Sequence, residues 1–248
     1  MNSPHRLLVP AGELDSAVPA LPREAVRHLR ALRPKPGEIF ELFDGRGRAR
    51  TYRWTRDGSL EADGGLREAS PRTGGTVTLF ACVTKGSRWD WTVEKATELG
   101  VDRIVPVISE RTIVRLPPQE RCAKRERWMR IAEDAARQSD ALWLPEISAA
   151  VDFTDSLALV RESRCFAGAL VDPPPAPILS AVESALAAGR GGDWSVFVGP
   201  EGDFTREELS ALLEVAAPVS LGPTILRAET AAMFALSVLV AAVRGESR

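Results

Sequence analysis

SVFVGPEGDFTREEL, residues 195–209, decides the fold class of this chain. SVFV is β-branched and aromatic, the composition of a buried strand. Thr205 and Glu208 have the T-x-x-E spacing of a capping box, and Phe204 and Leu209 flank it as a hydrophobic staple, so a helix is predicted to start at Arg206. Only Gly199, Pro200, Glu201 and Gly202 remain to carry the chain away from the strand, and glycine there permits close backbone approach. A second stretch repeats the arrangement: PVSL (218–221) reads as a strand, LGPTILRAET (221–230) follows, and an apolar helix begins. Ligand crevices of open α/β sheets lie beyond the carboxyl ends of the strands. If the two strands are parallel neighbours, both loops lie on one edge of the sheet and offer backbone amides to one ligand.

The same alternation extends upstream. TVTLFACV (76–83) reads as a strand; Ser87 with Asp90 is expected to cap a helix ending at Gly100; RIVPVI (103–108) is the next strand. A long helix over about 119–139, a short PEIS, the strand CFAGALV (165–171) and a helix near 178–188 lead into the final strand–helix pairs. Such alternation implies a mostly parallel sheet with helices on both faces, hence an α/β fold over residues 74–248. LREASPRTGG (66–75) interrupts the pattern and marks a domain boundary. Before it, residues 1–70 read as β-hairpins around Asp44-Gly45 and Asp57-Gly58, with one short helix over 23–32, for which a small β-barrel is the expected form.

At 44% hydrophobic and 27% charged, the 248-residue chain has the composition of a folded soluble protein, not a disordered one. The longest apolar stretch, 231–243, is too short to span a bilayer, and MNSPHRLLVP lacks the apolar core of a secretion signal. A cytoplasmic protein without a membrane partner is expected. Cys82, Cys122 and Cys165 have no CxxC spacing and only His5 and His28 could join them, so no metal is expected. The net charge of −2 conceals an asymmetry, because residues 1–72 hold 13 Lys and Arg against 10 Asp and Glu. Apart from Lys35, Lys85, Lys95 and Lys124 the cations are arginines, which suit planar phosphate and base contacts, although a GC-rich coding sequence gives the same bias.

No GxGxxG follows a strand, no GxxxxGK[ST] is present, and there is no G-x-S-x-G elbow. Dinucleotide, P-loop and serine-hydrolase chemistry are therefore disfavoured. Read alone, residues 199–202 are an ordinary turn. Arg227 and Glu229, set between an apolar run and an apolar helix, need a partner: each other, a cap with Thr230, or a ligand. Arg111, Arg115, Arg121, Lys124, Arg125, Arg127, Arg130 and Arg137, interleaved with Trp128, form either a solvated helix face or a surface for RNA phosphates.

FDGRG (43–47), KGSRWDWTVEKATELGVDRIVPVISER (85–111), RWMRIAEDAARQS with PEI (127–139, 145–147), VGPEGDF (198–204) and LGPTILRAETA (221–231) together resemble one family, the SPOUT-class methyltransferases that modify N3 of a uridine in 16S ribosomal RNA. The resemblance spans both domains in order. It implies an N-terminal PUA-like barrel for RNA, a C-terminal α/β domain with a trefoil knot, and a homodimer acting on 16S ribosomal RNA or the assembled small ribosomal subunit. It also implies S-adenosyl-L-methionine as cofactor, held by Leu170, Val198, Gly199, Pro200, Glu201, Gly202, Leu221, Gly222, Thr224, Ile225, Leu226 and Arg227. Uracil N3 carries a proton and is a poor nucleophile until that proton leaves. Arg227 is expected to stabilise the developing charge, and Glu201 or Glu229 to assist proton removal or orient that arginine. Arg6, Arg30, Arg33, Lys85, Arg88, Arg111 and Arg137 are the expected RNA contacts. The family's usual GPEGG, EQSGR and LGPRILR become GPEGD, RQSDA (137–141) and LGPTILR here, so arginines expected near RNA or the cofactor carboxylate are replaced by Ala141 and Thr224. The alternatives are a ribose 2′-O-methyltransferase of the same class and a non-catalytic RNA-binding protein that keeps the fold.

Overall fold

The structure, a computed structural model, describes residues 4–70, 72, 74–160, 163–189 and 192–245. The chain divides into two compact units, Met1–Pro71 with Glu133–Leu144, and Arg72–Ala132 with Pro145–Arg248. The return of Glu133–Leu144 to the first unit is a long-range grouping that no local sequence signal announces.

In the first unit β1 (His5–Leu8) lies parallel to β2 (Ile39–Phe43), and β3 (Arg48–Trp54) and β4 (Leu60–Glu68) continue the sheet antiparallel. The β2–β3 turn is fixed by Asp44, whose Oδ1 accepts from the amides of Arg46 at 2.7 Å and Arg48 at 3.0 Å, while Gly45 and Gly47 take φ of 68° and 99°. A 3-10 turn at Ala11–Asp15 and α1 (Arg23–Leu32) place Leu14 and Leu29 in the same core as Leu7, Phe40, Leu42 and Tyr52.

The second unit runs β5 (Val77–Cys82), α2 (Ser87–Glu98), β6 (Arg103–Ile108), α3 (Pro118–Gln138, whose last turns belong to the first unit), β7 (Glu146–Ile147), β8 (Val151–Asp152), α4 (Phe153–Leu157), β9 (Arg164–Gly168), α5 (Ile178–Ala187), β10 (Trp194–Val198), α6 (Arg206–Leu213), β11 (Ala217–Val219) and α7 (Ala228–Arg244). The strands pair in the order β11-β9-β10-β5-β6-β7, with β8 also on β6, and every pairing is parallel. Side chains alternate between two buried layers. Val77, Leu79 and Ala81 of β5 and Trp194, Val196 and Val198 of β10 join α2, α5 and α7 on one face. Phe80, Cys82, Val105, Val107 and Phe197 face α4 and α6 on the other, where Phe80 and Phe197 stack with ring centroids 4.4 Å apart. Burial on both faces is why these strands read as continuous apolar runs. Each Val, Leu or Phe among them contributes about 1.5–3 kcal/mol on leaving water.

Two expectations are corrected. The strands β10 and β11 are not neighbours, since β9 lies between them. Ser87 and Asp90 do not cap α2: Ser87 is already inside the helix, Gly86 occupies the cap at φ 68°, and Asp90 pairs with Arg127 at 2.6 Å. The short α4 and β8 were not foreseen, because five and two residues are too few to show a period. By contrast, the Thr205 capping box forms as expected, with Thr205 Oγ1 accepting from Glu208 N at 3.2 Å and Glu208 Oε2 from Thr205 N at 3.0 Å.

Cys82 and Cys165 are buried and Cys122 is exposed. Burial pushes the Cys82 and Cys165 thiols up to about 12, because the thiolate loses its hydration. At pH 8 the native protein is therefore expected to release colour from a disulfide thiol reagent at Cys122 alone, with Cys82 and Cys165 reacting only after denaturation. Rapid reaction of all three in the native state would contradict this core.

Candidate active site

Because β9 separates β10 from β11, three loops rise from adjacent carboxyl ends where two were expected. They enclose a cavity of about 1000 Å³. Residues 168–172, 174, 175 and 177 line one side, residues 198–201 and 203 the middle, and residues 219–228 with Ala231 the other. Leu170 and Ile225 stand on the wall 69% and 84% exposed, apolar surface that a ligand would cover.

The middle loop is fastened at both ends. Arg111 Nη1 donates to the carbonyls of Gly202 at 3.0 Å and Phe204 at 3.3 Å. Glu208, besides closing the capping box, accepts from Glu110 N through Oε1 at 2.8 Å. Asp203 adopts φ 58°, and its Oδ1 accepts from Phe204 N at 2.8 Å. That carboxylate lies over Gly199, where an added Cβ would meet Asp203 Oδ1 and the Phe204 ring at 3.2 Å. A side chain at 199 would therefore crowd Asp203 and Phe204, whereas Asp203 sits in the left-handed region that aspartate tolerates through such local hydrogen bonds.

The expected site residues separate into two groups. Leu170, Val198, Gly199, Pro200, Glu201, Leu221, Gly222, Thr224, Ile225, Leu226 and Arg227 all line the cavity. Gly202 and Glu229 do not: Gly202 turns towards Arg111, and Glu229 sits in the first turn of α7 with Oε2 buried and without a hydrogen-bond partner. Asp172, Asp203 and the proline loop after β9 were missed, although PPPAP (173–177) marks that loop as irregular. Arg227 is exposed at the N-cap of α7, its carbonyl accepting from Ala231 N at 2.8 Å. Among the described residues its guanidinium makes no ion pair, so neither the Arg227–Glu229 pair nor a cap with Thr230 forms. Glu201 pairs with Arg88 at 3.1 Å.

The expected RNA-contacting cations also divide. Arg6 is corrected: it is 7% exposed, stacks on Phe43, pairs with Glu41 at 2.8 Å and donates to the carbonyls of Ala136 and Ala141. It is a structural arginine of the first unit. Arg88 and Arg111 are engaged with the middle loop, and Arg137 pairs with Asp134. Arg30, Arg33 and Lys85 are exposed and form no ion pair among the described residues. No group of three or more metal-ligating side chains occurs among the described residues, and no helix there is long and apolar enough to cross a membrane.

The family model of an RNA methyltransferase domain matches residues 71–240, which places the chain in that class. A ribosomal RNA small subunit methyltransferase E from Synechocystis is 32% identical over 240 residues, covering 94% of this chain and 76% of the relative. The Bacillus subtilis protein of the same name is 33% identical over 167 residues, 66% of this chain and 64% of the relative. The structure of a ribosomal RNA small subunit methyltransferase E from Neisseria gonorrhoeae bound to S-adenosyl methionine superposes with a TM-score of 0.78 at 30% identity, covering 96% of this chain and 97% of that one. The chain belongs to the ribosomal RNA small subunit methyltransferase E family.

The conformation of Asp203 makes a clean prediction. Asp203→Ala loses the hydrogen bond to Phe204 N and keeps a Cβ in the left-handed region, so it is expected to destabilise by about 1–2 kcal/mol. Asp203→Gly removes the Cβ and should lie within about 0.5 kcal/mol of the parent, since relief of strain offsets the lost bond. Urea denaturation of the two variants checks the ranking.

Proposed function

We propose that this protein is an S-adenosyl-L-methionine-dependent methyltransferase acting on N3 of a uridine in 16S ribosomal RNA. The observation that carries the reading is the cavity at the ends of β9, β10 and β11, lined by eleven of the twelve residues the family resemblance assigns to the cofactor, in a chain of that family. The cavity suits such a ligand: largely apolar walls, exposed Leu170 and Ile225, close backbone approach at Gly199, and three carboxylates, Asp172, Glu201 and Asp203, against Arg227 on the wall and Arg88, which pairs with Glu201. That excess of negative charge favours a cationic donor. When bound, S-adenosyl-L-methionine supplies a sulfonium-activated methyl group.

The chain's own residues have to make N3 nucleophilic. Arg227, on the cavity wall and without an ion pair among the described residues, is placed to offset charge on the uracil oxygens as the N3 proton leaves. Glu201, on the same wall and oriented by Arg88, is the better placed of the two candidate carboxylates to accept that proton; Glu229 lies off the wall. The proposal extends to the features the resemblance implies: residues 1–70 as a PUA-like RNA-binding barrel, 74–248 as a knotted methyltransferase domain, a homodimer, and action in the cytoplasm on 16S ribosomal RNA or the assembled small subunit. The strand order supports the knot. After β10 the chain passes beyond β9 to form β11, and α7 then returns to pack on β10 and β5.

Small subunits from a strain lacking this protein, incubated with it and S-adenosyl-L-methionine, should yield 3-methyluridine on nucleoside analysis. A methyl group found on a ribose 2′-oxygen would replace the base-methylation reading, and absence of cofactor binding by calorimetry would remove the enzyme reading altogether. Arg227→Ala is expected to lower the single-turnover rate by about 10²-fold or more. Full activity in that variant, with cofactor affinity intact, would remove Arg227 from the chemistry.

A further inference from the structure

A second hollow, of about 300 Å³, opens at the N-terminus of α2 and shares no wall residue with the first cavity. Thr84 and Gly86, Ser87 and Trp89 of the β5–α2 junction meet Lys124, Arg127 and Trp128 of α3 there. Four independent features give it one chemical character.

The amides of the first turn of α2 have no side-chain cap, although the helix is 12 residues long, and the acidic side chain of that turn, Asp90, is engaged by Arg127 of α3. Gly86 takes φ 68° with open space where a Cβ would stand, which leaves its backbone approachable. Lys124, and Lys85 between two wall residues, are exposed and make no ion pair among the described residues, whereas Asp90 is neutralised by Arg127 at 2.6 Å. Finally, the wall contains two buried polar groups without a hydrogen-bond partner among the described residues: Thr84 Oγ1, on a residue 3% exposed, and Trp89 Nε1, on a residue 2% exposed whose ring meets Trp128 edge to face. A buried hydroxyl without a partner is costly and uncommon, and it makes sense where a ligand completes it.

We propose that this hollow binds a phosphate group through the α2 N-terminus, Thr84 and Lys124, and that the phosphate belongs to the RNA backbone. The RNA source rests on the function proposed above; the phosphate chemistry rests on the donors alone. A helix N-terminus with uncapped amides, an adjacent glycine and flanking lysines suits a phosphate in charge and in hydrogen-bonding sense. It also gives Lys85 a role as a flanking cation of a defined pocket instead of one of many scattered surface charges.

Thr84→Val separates this role from a structural one, because removing a buried unpartnered hydroxyl should leave stability unchanged or higher while weakening phosphate binding. The full-length protein and its Thr84→Val, Thr84→Ser, Lys124→Ala and Lys124→Glu variants would be titrated with a 16S RNA fragment, with pyrophosphate, and with S-adenosyl-L-methionine. We expect RNA affinity to fall about tenfold in Thr84→Val and further in Lys124→Glu, with Thr84→Ser close to the parent and cofactor affinity unchanged. Lys124→Ala should reduce the salt dependence of RNA binding by roughly one phosphate contact. Loss of pyrophosphate binding with RNA affinity untouched would uphold the phosphate site and assign it to a free phosphate ligand. Unchanged binding of both RNA and pyrophosphate in Thr84→Val and Lys124→Glu overturns the proposal. Failure of the parent protein to bind the RNA fragment or the cofactor would instead count against the proposed function, and the pyrophosphate titration would still decide the site.

Discussion

Along its whole length β10 is hydrogen-bonded on both sides, to β9 from Arg164 to Gly168 and to β5 from Val77 to Ala81, and all five of its residues are buried. Every other strand of the large sheet is placed relative to it, and both helical layers pack on faces that its alternating side chains help to build. Its carboxyl end is also where the middle wall of the cavity begins. The chain leaves a fully paired, fully buried position and must regain hydrogen bonding within a few residues. The Asp203 amide, donating to the Pro200 carbonyl, closes the turn, and the Thr205 capping box starts the helix. The ligand cavity is thus a by-product of how abruptly a central parallel strand has to become a helix.

Around that loop, charge is used mainly to hold backbone. Arg111 is spent on two carbonyls, Glu208 on two amides, and Arg88 on Glu201, one of the two carboxylates that the loop places on the cavity wall. Arg227 alone among the cavity's residues brings a cationic side chain with no ion pair among the described residues. Restraint of this kind fixes donors and acceptors before a ligand arrives, so binding need not order them. It also explains why several arginines that look available for RNA in the sequence are already engaged.

What could be read from the sequence was local. The α6 capping box, the strand compositions and the αL-compatible residues of the Asp44 turn are each determined within four or five positions, and they appear where expected. Of the twelve residues that the family resemblance assigns to the cofactor, eleven line the cavity; Gly202 turns away, because Arg111, 91 positions earlier, claims its carbonyl. What escaped was set by distance along the chain. The insertion of β9 between β10 and β11, the grouping of Glu133–Leu144 with the first unit, and the burial of Arg6 beneath Glu41 and the carbonyls of Ala136 and Ala141 all join segments that share no periodicity. The failed Ser87 cap is different in kind: its spacing was right, but the helix starts one residue too early for that residue to serve.

The pairing of β5 with β10 carries a cost in time. Thr76 and Asp193, joined by a hydrogen bond at the base of these two strands, are 117 positions apart. A ribosome adding about 5–20 residues per second makes β5 and its α2 crossover on the order of ten seconds before β10 exists. Through that interval one edge of β5, apolar on both faces, has no partner within its own chain. Parallel sheets of such high contact order close late, and until they do their open edges can pair with another chain. Production of this protein should therefore depend on translation speed and chaperone supply more steeply than the burial in its finished core would suggest.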